Sequence, residues 1–330
     1  MNTHARRAVA FVPAAVAASI AVAIGIVLPL AGPLLIALVL GAVAANTAIG
    51  RLDALTDQAS TTKLLLRLGV VMLGLQLPIG DIAGIGISGI VIVLTTVLVT
   101  YAATVAAGDR LGLDRSFVTL LAAGFCICGA AAIVAVQDAV RAKEKFVALA
   151  VGMVTLFGSL MIVLVPWLSD LIGLREEQAA VWAGASIHEV AQVVAAAAIV
   201  GPGALAIATT VKLGRVALLA PMYAVVQRRA ARIAPPPDGR ATEVRVPLVP
   251  WFVMGFAVAV AIRSAGVLPL SVLDVTGAAT TFLLAAGMFG LGLAIRLADM
   301  WPVPARAVAL SVISTAVAAG TSLLLIITTS

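Results

Sequence analysis

The sequence is short of charge. Only 11% of its 330 residues are Asp, Glu, Lys or Arg, against about 25% in soluble domains. Cysteine is nearly absent: Cys126 and Cys128 are the whole complement, and both lie in an apolar run, so a disulfide framework is excluded. Histidine occurs twice and aromatics make up 5%. No zinc-ligand cluster, nucleophile motif or phosphate-cradling glycine loop of known spacing is present, which argues against an enzyme; no cofactor or metal site is expected. The net charge of +6 is scattered over short loops. It reads as topology information rather than as a nucleic-acid-binding patch.

What is there is hydrocarbon. Hydrophobic residues make up 62% and the mean hydropathy is +1.18. The apolar runs are about 17–25 residues long, enough to cross a hydrocarbon layer of roughly 30 Å. They are too long for barrel strands of ~10 alternating residues. The chain therefore reads as an all-α integral membrane protein. Eleven segments are expected, at 9–30, 33–49, 64–79, 85–107, 117–138, 146–168, 179–200, 203–226, 250–265, 277–295 and 305–328. The first, behind Arg6 and Arg7, reads as an uncleaved helix. The longest hydrophilic stretch, 227–245, carries Arg228, Arg229, Arg232, Arg240 and Arg245 around Pro235, Pro236 and Pro237. By the positive-inside rule it is cytoplasmic. Counting from it puts the N-terminus inside and the C-terminus outside. One loop disagrees: Arg141, Lys143 and Lys145 fall outside if every segment crosses. Re-entrant fifth and seventh segments would cure this; eleven crossings is the preferred expectation.

A repeat supports that preference. Arg67-Leu-Gly-Val-Val-Met-Leu73 in the third segment echoes Lys212-Leu-Gly-Arg-Val-Ala-Leu218 in the eighth. Five crossings apart, the two run in opposite directions. The expected layout is an extra N-terminal helix (1–32) followed by two inverted five-helix repeats (33–170 and 171–330), a plan used for alternating access. The fifth and tenth segments then correspond, and both are glycine-interrupted, at Gly124 to Gly129 and at Gly287, Gly290 and Gly292. Paired breaks of this kind point to a midplane binding site. The plainer alternative is that these glycines serve close helix packing.

Ionisable groups inside membrane segments are costly and functional by default. Here they converge. Segment seven carries Ser186, His188, Glu189 and Gln192, and segment eight carries Lys212 and Arg215. Gln192 and Lys212 are each ten positions from Pro202, and Glu189 and Arg215 each thirteen. In regular helices these pairs are level, about 15 Å and 20 Å from the turn. Two cations against one carboxylate leave a surplus positive charge, which an anionic substrate would fill. The substrate-binding candidates are Lys212, Arg215, Gln192, Ser186, Cys128, Gly129, Ala130, Gly290 and Gly292. Glu189 and His188 are the candidates for coupling to a proton. The alternatives are a structural Glu189–Arg215 pair with Lys212 reaching toward water, and a merely satisfied interior histidine. Asn46 and Gln76 are further polar groups in apolar segments.

At Ile127-Cys128-Gly129, Gly184-Ala-Ser186-Ile-His188-Glu189-Val-Ala-Gln192, Lys212-Leu-Gly-Arg215 and Met288-Phe-Gly290-Leu-Gly292 the chain resembles the YeiH-type family of proposed sulfate exporters. The resemblance implies a bacterial inner-membrane location. It also implies a fold similar to the bile-acid-symporter and cation/proton-antiporter superfamily, with two inverted repeats and crossing broken helices. Related sodium/proton antiporters carry adjacent acidic residues at the crossing, whereas this chain has Cys126-Ile-Cys128-Gly129. The functional expectation is a secondary transporter of a small anion, such as sulfate, coupled to H+ or Na+. Alternatives are a cation/proton antiporter using Glu189 and an anion channel. The expected partners are the anion, the coupling ion and lipid; a homodimer is compatible with this reading and nucleic acid is not.

Overall fold

The computed structural model describes residues 3–28, 32–52, 55, 58–78, 80, 86–201, 203–233, 251–293 and 304–329. Regular structure among them is helical throughout: α1 (Thr3–Val27), α2 (Gly32–Ala45), α3 (Ala59–Gly74), α4 (Gly86–Arg110), α5 (Arg115–Cys126), α6 (Ala130–Val136), α7 (Glu144–Leu171), α8 (Glu176–Ser186), α9 (Val190–Val200), α10 (Ala204–Ala217), α11 (Leu219–Ile233), α12 (Trp251–Ser264), α13 (Leu270–Leu293) and α14 (Ala305–Thr329). A backbone in hydrocarbon must bond to itself, and only helices do so within one segment. Spans 86–110, 144–171, 204–229, 271–293 and 305–329 are long and apolar enough to cross a bilayer, and shorter apolar helices accompany them. The chain is an integral membrane protein. Val12, Val16, Leu98, Leu156, Leu160, Val163, Met254, Val258, Val312 and Leu324 lie exposed on helix faces, as a lipid-facing surface requires.

Two groups of helices are distinguishable by their packing. In the first, α13 lies along α2 and α3, with α1 and α12 completing it. In the second, α4 packs on α14 and α5, α8 on α10, and α7 on α5 and α9. The groups meet along narrow seams where α6 touches α3 and α11, α9 touches α2, and α7 touches α13. Pro221 lies one turn into α11 and lacks the N–H that would bond back to Ala217, which accounts for the short interruption between α10 and α11 at Leu218.

The fifth and seventh segments do not run from one end of the bundle to the other. Phe117, at the start of α5, contacts Phe146, at the start of α7, with ring centroids 5.6 Å apart. Residues 115–143 therefore leave one end of the bundle and come back to it. At the opposite end, the Gly203 N–H just before α10 donates to the Glu176 carboxylate at the start of α8, at 2.7 Å. Residues 176–203 likewise leave and return. Each is a hairpin of two short helices, so the fifth and seventh segments depart from the straight runs expected of them. The reason is length. Half-helices of 12, 7, 11 and 11 residues reach no more than about 18 Å each, too little to span alone, and each pair doubles back at its break.

The expected break in the tenth segment is also corrected. α13 runs unbroken from Leu270 to Leu293. Its glycines serve close packing: Gly287 lies against Leu66, Gly290 against Thr62, and Gly292 against the Leu38 carbonyl and Gly41. The other broken segment among the described residues is the seventh, between α8 and α9. The basic-Leu-Gly echo between segments three and eight marks no equivalence of packing, because α3 lies in the first helix group and α10 in the second. Arg240, Arg245, Pro202, Pro235, Pro236 and Pro237 lie outside the described residues, as do the side chains of Arg6, Arg7 and Arg232.

Candidate functional site where two hairpin tips meet

The first hairpin breaks at Ile127-Cys128-Gly129. Ile127 ends α5 at φ −114°, ψ −90°, and Gly129 opens α6 at φ +75°, a region that L side chains rarely adopt. A Cβ on Gly129 would stand 2.5 Å from Cγ of Glu189, so glycine also lets the second tip come this close. That second tip, Ile187-His188-Glu189, breaks without glycine. Ile187 and Glu189 are extended. The Gln192 side-chain oxygen then caps the start of α9 by accepting from the Glu189 N–H at 3.1 Å.

Ending two helices in apolar surroundings leaves their last carbonyls without partners. Two cations of α10 take them. Arg215 Nε donates to the Cys126 carbonyl (3.1 Å), Nη2 to Phe125 (2.7 Å), and Nη1 to Ala185 (2.7 Å) and Ile187 (3.0 Å). Lys212 Nζ donates to Ile127 (2.7 Å) and Ile187 (2.8 Å). Both side chains are 0% exposed. Each joins the two hairpins, and the Ile187 carbonyl serves both. The C-terminal ends of α5 and α8 each carry about half a negative charge, so the cations also sit where the helix dipoles favour them.

Glu189 lies on the other side of the joint. The Ala130 N–H, at the start of α6, hydrogen-bonds to its carboxylate, and Thr155 Oγ1 donates to Oε1 at 3.4 Å. Gln192 Nε2 donates to the Thr155 carbonyl (3.1 Å) and to Ser159 Oγ (3.4 Å). Its amide fits because residue 158 is glycine; a Cβ there would collide with it. His188 is buried between the ring edge of Phe125, at a centroid separation of 4.6 Å, and Thr315 Oγ1, 3.3 Å from Nε2.

The sequence-derived candidates thus fall into three groups. Lys212, Arg215, Glu189, Gln192, His188, Cys128, Gly129 and Ala130 gather at the two tips. Ser186 adjoins them, but its hydroxyl donates to Trp182 O of its own helix at 2.6 Å. Gly290 and Gly292 lie in the first helix group against α3 and α2, apart from the tips. The expected level Glu189–Arg215 pair does not form. Glu189 belongs to a break rather than to a regular helix, and Arg215 is taken up by carbonyls. Among the described residues, the ion pairs within 4.0 Å are those of Asp138 with Lys63 and Arg67. Sequence reading missed Thr155 and Ser159, which hold Glu189 and Gln192. Their four-residue spacing in the apolar run 146–168 is a signal for one polar helix face.

All of these groups are buried: Lys212 and Arg215 fully, and Glu189, Gln192, Cys128 and Ala131 nearly so. No group of three or more His, Cys, Asp or Glu suited to a metal ion occurs among the described residues.

Known proteins with this pattern are membrane proteins. A family profile described as "Conserved hypothetical protein 698" matches residues 8–311. A UPF0324 membrane protein of Corynebacterium glutamicum is 40% identical over 269 residues, covering 81% of this chain and 76% of its own. The chain belongs to the UPF0324 (YeiH) family. A Pseudomonas aeruginosa UPF0324 membrane protein is 36% identical over 281 residues (81% and 79% of the two chains). The UPF0324 inner membrane protein YeiH of Escherichia coli K12 is 35% identical over 263 residues (78% and 74%). No solved structure matches the chain.

Proposed function

We propose that this UPF0324 protein is a secondary active transporter of a small anion, with sulfate the first candidate, coupled to H+ or Na+ in the bacterial inner membrane. The observation that carries the reading is the joint itself. Two half-helix hairpins from opposite ends of the bundle meet at two buried cations and one carboxylate, inside a helix group that is only narrowly seamed to its neighbour. Formal charges sum to about +1 there, and the four half-helix ends cancel one another to first order. A buried surplus of this sign favours an anion on the adjoining face. Discontinuous helices at the middle of a two-part bundle are what alternating access around a fixed site needs.

The end bearing Lys63, Arg110, Arg115, Arg141, Lys143, Lys145 and Arg306 is assigned to the cytoplasm. The re-entrant fifth segment brings Arg141, Lys143 and Lys145 to that end, so the conflict in the straight-through count disappears. The assignment gives nine crossings and two hairpins, with the N-terminus inside and the C-terminus outside. It also gives an inverted repeat in permuted order, in which α2, α3, α4, α5–α6 and α7 answer to α12, α13, α14, α8–α9 and α10–α11. The packing supports this pairing: α3 meets α13, α4 meets α14, and the tips meet each other.

A second reading rests on the carboxylate. A buried Glu189 at the meeting of two half-helix tips favours a cation/proton antiporter using it. Counterflow of labelled sulfate in proteoliposomes separates the two. Saturable counterflow in wild type that is lost in folded Gln192→Ala and Glu189→Ala supports the anion carrier. Absence of sulfate counterflow, together with sodium-driven proton movement that Glu189→Gln abolishes, overturns it in favour of the antiporter.

A further inference from the structure

The seam between α3 and α6 holds a cluster that the hairpin tips do not use. Asp138, directly after α6, accepts a hydrogen bond from Arg67 Nη2, and Lys63 Nζ lies 3.8 Å from its other oxygen. Lys63 and Arg67 stand one turn apart on α3, in the first helix group. Asp138 ends the first hairpin, in the second. Arg67 also stacks over the Phe252 ring of α12 at 5.3 Å, and Tyr223 of α11 lies within electrostatic range of Asp138 and Arg67. Two cations face one carboxylate, and Arg67 Nε is buried with no hydrogen-bond partner. At the other end a carboxylate at the mouth of hairpin two, Glu176, is used inside its own helix group, on Gly203.

The geometry points to Lys63 and Arg67 as a second anion-binding site, at the basic end of the bundle, in which Asp138 is the built-in occupant and a substrate oxyanion is the exchangeable one. While Asp138 fills the seat, hairpin one is latched to α3. When an oxyanion fills it, taking the Arg67 donors and the Lys63 charge, the latch opens and the helix groups are free to shift. The latch is weak by construction. Its side chains are 37%, 23% and 50% exposed, and ion pairs of that exposure hold a conformation by only a few-fold. That strength suits an element that must let go in every cycle. The identity of the oxyanion rests on the anion-transport reading; the latch does not.

The test is a distance measurement between the groups. Spin labels at Ser60→Cys and Ala142→Cys report α3 against the end of hairpin one; Cys126 and Cys128 are buried and stay unlabelled. In lipid nanodiscs, Asp138→Asn raises the long-distance population by about two- to fivefold. Sulfate does the same to the Asp138 protein and chloride at equal ionic strength does not. The charge swap Arg67→Asp with Asp138→Arg restores the short distance. Distances unchanged by Asp138→Asn overturn the latch. An equal response to sulfate and chloride overturns the anion site. Failed sulfate counterflow with an intact sulfate-sensitive latch counts against the transport reading alone.

Discussion

The two hairpins reach one point from opposite ends, and they are built from different chemistry. Hairpin one bends on a glycine at positive φ and brings backbone and uncharged side chains to the joint: carbonyls 125–127, the Phe125 ring, Cys128 and Ala130. Hairpin two bends without glycine and brings a histidine, a carboxylate and an amide. Their mouths differ as well. Asp114 caps α5 by accepting from Ser116 N and Phe117 N, whereas the helix at the mouth of hairpin two is held by the Gln178 side chain accepting from Arg175 N. The contrast shows that a helix break inside a membrane can be specified by backbone freedom or by side-chain capping. In this protein both breaks depend on cations lent by a third element, α10.

The largest expected effect tests that dependence. Arg215→Ala removes four charge-assisted bonds, each worth about 1.5–3 kcal/mol, and strands carbonyls of both tips. We expect no folded protein by size exclusion in mild detergent. Arg215→Lys, lacking the fork, should recover little. Monodisperse, wild-type-stable Arg215→Ala would show that the tips hold without α10.

Next comes the glycine break. Gly129→Ala costs about 1–3 kcal/mol for its backbone conformation plus a clash with Glu189, so apparent thermal stability should fall by several degrees. His188→Ala, at the matching place in hairpin two, should fall less despite losing more atoms, because its backbone is ordinary. Equal losses would erase the distinction between the two kinds of break.

Glu189→Gln keeps the shape of the cap and removes the charge. Stability should change by about 1 kcal/mol or less, while transport loses its response to a pH gradient and keeps counterflow. Unchanged proton coupling would take Glu189 out of that role.

The smallest effect is expected at the mouth of hairpin one. Asp114→Ala should cost about 1 kcal/mol. The Ser116 hydroxyl, ahead of the Ser116 and Phe117 backbone N–H groups, lowers the Asp114 pKa. A depressed carboxylate contributes stability above its unfolded pKa and loses it as pH falls through the folded value. The wild-type advantage over Asp114→Ala should therefore shrink below about pH 4. An advantage constant down to pH 2 would show that the charge is irrelevant to the cap.

Much of this was legible in the sequence, for definite reasons. Composition alone requires a helical membrane protein. Costly ionisable groups in apolar segments mark the joint, and they gather there as expected. The re-entrant geometry was legible only as a conflict: Arg141, Lys143 and Lys145 fell on the wrong side. A segment of 22 residues that crosses has nearly the same composition as one that bends and returns, so hydropathy does not separate them. The glycines of α13 misled because a glycine that admits a neighbouring helix looks, in one dimension, like a glycine that breaks its own. The pairing of Arg215 was hidden because its partners are carbonyls, which every residue has.

The carbonyls of Phe125 and Cys126 also set a timetable. They leave the ribosome ninety residues before Arg215, their partner. Hairpin one therefore cannot settle into the bilayer when it is made. It must wait in the insertion channel or at the lipid surface, its broken end hydrated, until α10 arrives. Assembly of the joint thus waits on α10, and α14 completes that helix group later still, so truncation before residue 215 should leave a chain that the membrane quality-control proteases remove.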